Sequence, residues 1–257
     1  MTDESTHAAD TADAADGADT ADTADELEDV LAGHVTPSTM AKLTEQLAKS
    51  ARTAGAGAVA SGRWLSEWIV DNAPRIPIRS REMLIADTGG LTGKALTDEL
   101  IRRATRASAA VGAVTGGLVT AEEFLPPVWL TLPLEILVDT LAVAAVEMKL
   151  IGELHAALDR PIPGSPGQRG LAILQAWAER RGVTPAVIAG GAGLAEVLGH
   201  TTRAEIVRLV RIRVMRRMGR NMAVIGPFLA GAAAGAYLNR RGTKSLGEAV
   251  LRDNAVR

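Results

Sequence analysis

Residues 203–220 read RAEIVRLVRIRVMRRMGR and run straight into MAVIGPFLAGAAAGAYL (222–238), a stretch without a charge, followed by Arg240 and Arg241. Few architectures accommodate that order. A basic amphipathic segment beside an uncharged Gly/Ala-rich one suits a protein that meets a membrane, or one that hides a closely packed helix pair inside itself. Val207, Val210, Val214 and Met218 form one apolar stripe, with Arg213, Arg217 and Arg220 grouped elsewhere on the helix surface. Arg208, Arg211, Arg213, Arg216, Arg217 and Arg220 are therefore the side chains expected to meet anionic headgroups, each contributing about 1 kcal/mol near such a surface. The competing reading is a solvated face on a packed helix. Nucleic-acid binding is disfavoured: the charges would track phosphates, but no helix-turn-helix pattern or set of polar base-reading side chains accompanies them.

The uncharged stretch approaches the ~20 residues needed to span a bilayer. Its content argues against a simple span, since six Ala, three Gly and one Pro leave little apolar bulk. Both flanks are basic, so charge gives no orientation. A hairpin dipping into one leaflet fits. So does a buried helix packed through Gly231 and Gly235, which have the small-xxx-small spacing of close helix contacts. Residues 107–121, ASAAVGAVTGGLVTA, form a similar stretch, and the two are expected to pack on each other.

The net charge of −2 conceals an asymmetry. Residues 1–29 hold eleven acids and no Lys or Arg, which leaves 28 basic against 19 acidic residues, or +9, in 30–257. A basic folded part favours anionic lipid or an acidic protein partner. Residues 8–25 are six triplets ending in Ala-Asp, too poor in apolar bulk to offset ordering entropy, so 1–29 is expected to be a disordered acidic tail. Cysteine is absent, which excludes disulfides, thiolate metal sites and a Cys nucleophile. The opening MTDESTHAAD lacks the charged-then-apolar pattern of a secretory signal, and the expectation is a cytoplasmic protein on the inner face of the cytoplasmic membrane.

Helical periodicity covers 38–72, weakened by Gly55, Gly57 and Gly62, with a break expected near 55–62. Further helices are expected over 80–87, 94–118, 133–158 and 168–181, with a short one opened by Thr184-Pro185. Thr202 and Glu205 have capping-box spacing at the start of the arginine-rich helix, and Ser245 and Glu248 repeat it before a short final helix. No segment alternates with period two. The chain reads as all-α, a bundle of about seven to nine helices with closely packed Gly/Ala-rich members. It divides into the tail (1–29), a helical region with its connector (30–95) and a main helical part (96–257).

Chemistry-bearing motifs fail on spacing. GGLTGKA (89–95) has Thr88 and Ala95 where a phosphate loop needs Gly and Ser/Thr. IAGGAGLAE (188–196) lacks a full dinucleotide fingerprint. His155 and His200 have no metal-ligand spacing around them, and Pro166 breaks a nucleophile elbow in GSPGQ. No catalytic residue, cofactor or metal is assigned. The remaining polar pattern lies on helix 133–158. Glu135 and Asp139 share a face, Glu147 and His155 belong to another i, i+4 series, and Lys149 can pair with Glu153. Buried, such carboxylates need partners, and Arg102, Arg103 and Arg106 are the obvious ones. Glu135, Asp139 and Glu147 are either an internal acid–base or cation-binding cluster, or the solvated edge of an amphipathic helix, or structural ion pairs.

The order of an apolar helix with an interior acid, MKLIGELHAAL (148–158), a Pro/Gly loop, a basic helix and IGPFLAGAAAGAYLNRRGTKSLGEAVLR (225–252) resembles the EcsC family of bacterial proteins across roughly 96–253. Pro227, Gly231, Gly235, Asn239 and the 245–252 stretch carry the likeness. The family's Arg is replaced by Lys149, and its Tyr-Gly pair is absent. The resemblance implies a helical, membrane-associated accessory protein and brings no catalytic residues with it. The first expectation is thus a non-enzymatic membrane-associated protein. The alternatives are a soluble all-α scaffold, or an enzyme using the clustered carboxylates.

Overall fold

Proline and glycine punctuate this chain, and the helices fall between them. The computed structural model describes residues 26–61, 63–122, 134–180, 211 and 231–255. Every regular element among them is helical: α1 (26–32), α2 (Pro37–Ala54), α3 (Ala56–Ala60), α4 (Arg63–Asn72), a 3-10 turn (Ala73–Arg75), α5 (Arg81–Asp87), α6 (Gly93–Glu122), α7 (Leu134–Ala157), α8 (Pro166–Arg180) and α9 (Gly231–Ala255). The all-α expectation holds.

Local signals explain the ends. Thr36 caps α2, its hydroxyl accepting from the Thr39 backbone N–H at 3.1 Å, with Pro37 behind it in the first turn. Gly55 stops α2 at a φ of +84°, a left-handed backbone that side chains resist, so the break expected at 55–62 begins there. Ser80 caps α5 through Met83 N–H. The sequence GSPGQ proves to be a helix start. Ser165 N–H donates to Gln168 Oε1 at 2.9 Å and Gln168 N–H donates back to Ser165 Oγ, a reciprocal capping box.

Two expectations are corrected. Residues 26–29 are not part of a disordered tail: they lie in α1, where Leu27 and Val30 enter the core and Glu26 pairs with Lys42 at 3.3 Å. The apolar pair gives this end of the acidic run the bulk that the xAD triplets lack. Ser245 and Glu248 do not open a new helix either. α9 runs unbroken from Gly231 to Ala255, through Gly242. Asn239, Thr243, Leu246 and Val250 are all buried along it, and that continuous packed stripe overrides the local start signal. The stretches 1–25, 181–210 and 212–230, with the Thr184-Pro185 and Thr202/Glu205 signals, lie outside the described residues.

One hydrophobic cluster extends from Leu27 to Val250. At its centre is α7, buried nearly all round from Leu137 to Ala157. A helix without a polar face belongs in the interior. α6 and α9 lie against it and form the most extensive helix pair, while α2, α4, α5 and α8 cover its other sides.

Candidate functional site

Because α7 has no solvent face, every polar side chain on it must find a protein partner. The carboxylates do so at three levels, while the Thr140 hydroxyl is buried with no hydrogen-bond partner among the described residues. Asp139 is 6% exposed, and its Oδ1 accepts from Asn239 Nδ2 of α9 at 2.6 Å. The Thr115 hydroxyl of α6, 2.8 Å from Val111 O, also reaches that oxygen at 3.3 Å. Two turns on, Glu147 is 1% exposed. Its Oε2 accepts from the Trp177 indole of α8 at 2.8 Å, and its Oε1 from Thr243 of α9 at 3.0 Å. Ser108 Oγ of α6 stands 2.9 Å from that Thr243 hydroxyl, extending the chain of hydroxyls to a third helix.

The third level reaches the surface. Glu153, buried, takes a two-pronged bond from Arg79, with Nε at 2.7 Å and Nη2 at 2.9 Å, and Lys149 stands 3.4 Å away. The Lys149–Glu153 pairing read from the sequence is present. Arg79 also reaches Asp87 at 2.5 Å, Asp87 takes Arg103 at 2.7 Å, and Glu99 takes both Arg103 and Arg102. This network rims a cleft of about 370 Å³ beside Gly33, Leu100 and Leu150. The Glu153 bond, with further attraction from Asp87, raises the Arg79 guanidinium above its ordinary pKa against the opposing effect of burial. Hydrogen bonds from Arg102 and then Arg103 hold the Glu99 carboxyl below the usual carboxylate range.

The expected arginine partners of the interior acids are therefore reassigned. Arg102 and Arg103 bind Glu99 and Asp87, while Asp139 and Glu147 take hydrogen bonds from an amide, an indole and hydroxyls. These donors sit on helices that are already packed against α7, whereas a guanidinium at that depth would need its own desolvation offset. Asp139 and Glu147 are eight residues apart on one helix, about 12 Å, with different partners, and neither lines the clefts described here. They do not converge. The Glu135 side chain lies outside the described residues. Among the described residues no group of three or more His, Asp or Glu side chains could hold a metal ion.

Where both are described, the two Gly/Ala stretches meet at Gly112 and Gly235. A Cβ added to Gly112 of α6 would stand 2.5 Å from the Gly235 carbonyl and 2.6 Å from Asn239 Nδ2. Gly235 would clash in the same way with the Gly112 carbonyl. Gly231 opens α9, and its surroundings lie outside the described residues. Of the six arginines expected at a lipid surface, only Arg211 is described, donating to Ser61 O at 2.8 Å from an exposed position. Arg208, Arg213, Arg216, Arg217 and Arg220 lie outside the described residues.

A basic surface that the sequence reading missed flanks the α6–α9 seam. Arg106, Arg240 and Arg241 are exposed and make no ion pair with a described residue, and Lys244 lies one turn further along α9. The spacing 240, 244, 248 was the available signal, and it was obscured by dividing this helix in two. Beside it, Tyr237 is 59% and Leu238 44% exposed, against the general burial of large apolar side chains. Among the described residues no helix is long and apolar enough to cross a membrane. No family model, curated protein or solved structure matches the chain.

Proposed function

We propose that this is a non-catalytic helical protein that lies against an anionic lipid surface as a peripheral accessory, as the resemblance to the EcsC family implies. The observation that carries the reading is the exposed patch on α9. Tyr237 and Leu238 stand one turn before Arg241, all three exposed on the same side of the helix. Apolar side chains beside exposed cations suit the boundary between headgroups and acyl chains. The basic 203–220 segment and the uncharged stretch after it adjoin this patch in sequence and would enlarge it. Asp139 and Glu147 serve as structural bonds between helices in this reading.

Co-sedimentation with vesicles tests the proposal. Wild-type protein is expected on vesicles of phosphatidylglycerol and phosphatidylcholine, and not on phosphatidylcholine alone. Tyr237→Ser with Arg241→Glu should lower the bound fraction several-fold. So should charge reversal at Arg213, Arg216 and Arg217. Equal binding to both vesicle types, or none, sinks the lipid reading.

A second reading has its own observation. The Gly112–Gly235 contact packs the half-buried Gly235 against α6, which suits a scaffold that offers its basic surface to an acidic protein. That version predicts no vesicle binding and a monodisperse species in detergent-free buffer.

A further inference from the structure

α6 and α9 run antiparallel, with Gly112 against Gly235, Ser108 against Thr243 and Ile101 against Gly247. Along one side of this seam lies a groove of about 610 Å³. Its apolar lining comes from Ile101, Ala109 and Leu251. Three of its four cations gather at one end. The antiparallel register brings Thr105 and Arg106 level with Arg240 and Lys244 at one end, and Asp98 and Arg102 level with Glu248 at the other.

The acidic end is largely occupied. Asp98 is bonded by Lys94, and Arg102 is bonded by Glu99. At the basic end, Arg106 and Arg240 have no ion pair with a described residue, and Lys244 approaches Glu248 only at 3.8 Å between exposed side chains. Between them sits a second, independent feature. Thr105 is 7% exposed, lines the groove, and its Oγ1 is buried with no hydrogen-bond partner. Native proteins leave few buried polar atoms unbonded, and each calls for an explanation such as a missing ligand. Two guanidiniums, an ammonium and a hydroxyl donor match a dianionic tetrahedral oxyanion better than a single carboxylate, because a guanidinium fork takes two phosphate oxygens at once.

We infer that the basic end of the α6–α9 groove is a phosphate-binding site, with Arg106, Arg240 and Lys244 as its cations and Thr105 as its hydroxyl donor. The site needs only the oxyanion. That the phosphate belongs to a lipid headgroup rests on the peripheral-membrane reading above, and the apolar groove lining would then take the glycerol and the start of a chain.

The experiment uses full-length protein and three probes: inorganic phosphate, glycerol 3-phosphate, and vesicles of phosphatidic acid in phosphatidylcholine. Binding of the soluble probes is followed by the thermal midpoint, against chloride at equal ionic strength. Phosphate and glycerol phosphate should raise the midpoint saturably. Thr105→Val keeps the shape and removes an unbonded hydroxyl, so the protein stays folded, and it should weaken both ligands about tenfold, as loss of a charge-assisted hydrogen bond does. Arg106→Gln should do the same. Tyr237→Ser with Arg241→Glu should leave soluble phosphate binding unchanged. No saturable shift, or equal shifts in wild type and Thr105→Val, overturns the site. Vesicle binding that is insensitive to Thr105→Val, without phosphate saturation, removes the site and leaves the surface reading. Phosphate binding that Thr105→Val weakens, without vesicle binding, supports the site and removes the lipid as its source.

Discussion

The α2–α4 side of the bundle and the α6–α9 seam are built on opposite plans. On the first, Met40, Leu43, Leu47, Leu65 and Ile69 are fully buried, and Trp64 and Trp68 nearly so. Large side chains hold these helices apart and fill the space between them. At the seam two glycines let the backbones touch, and the space is filled by Thr115, Asn239 and Thr243, bonded to the carboxylates of α7, and by Ser108, bonded to Thr243. Bulk is adaptable, since a core of the right volume can repack. Backbone contact and a buried hydrogen-bond network are not, because a displaced atom either clashes or leaves a polar group without its partner. The molecule thus has a forgiving half and an exacting one, and its groove and basic patch lie on the exacting one.

Substitutions that change volume make the sharpest test. Leu65→Ala should cost about 2–5 kcal/mol in urea unfolding, and Leu65→Met less than about 1.5 kcal/mol. Gly112→Ala adds a single methyl, yet it should cost about 1–3 kcal/mol, despite the ~1 kcal/mol that Ala normally gains over Gly in a helix. If Gly112→Ala were neutral, the close approach of α6 and α9 would not be holding the seam, and the contrast between the two halves would collapse.

Trp177→Phe addresses the hydrogen bonds alone. It keeps an aromatic ring and removes the indole donor from Glu147 Oε2. The expected loss is about 1–3 kcal/mol, the cost of leaving a buried acceptor short of a donor. Trp64→Phe is the matched control in the other half, where the indole bonds Ser50 at 3.0 Å on a half-exposed edge, and it should cost less. Equal losses would mean that indole packing, and not the carboxylate bond, stabilises α8.

The smallest effect is a pH dependence. Glu99 is held below the usual carboxylate range by Arg102 and Arg103. A depressed folded-state value contributes stability above the ordinary carboxylate range, and that contribution is lost as pH falls through the lowered value. Arg102 and Arg103 are largely solvent-facing, so the amount is under about 1 kcal/mol. Glu99→Gln should flatten the acid limb of stability between about pH 5 and 3, which thermal midpoints across that range would reveal. An unchanged limb would show that the Glu99 ion pairs contribute no acid sensitivity.

Much of this was legible in the chain. The helix breaks at Gly55 and at Pro74–Pro77 follow from backbone chemistry that needs no tertiary context, and so does the Lys149–Glu153 pair. The mutual packing of 107–121 and 231–238 followed from their shared lack of bulk, since helices without large side chains bury little unless they approach closely. The interior position of α7 was not legible: its acids allowed a solvated edge, and the structure corrects this by burying Asp139 and Glu147 under α6, α8 and α9.

What the sequence determined by itself was therefore element type, most boundaries and the need for partners on α7, because these depend on local backbone preference and on the cost of burying charge. The tertiary structure alone decided who the partners are. Asn239 and Thr243 come from a helix a hundred residues away from Asp139 and Glu147, and Trp177 from another. It also joined two apparent helices into α9, and left the Thr105 hydroxyl without a bond beside Arg106 and Arg240, which make no ion pair with a described residue. Each of these depends on which faces meet across the seam, and that geometry is set by the Gly112–Gly235 contact, which no local pattern encodes.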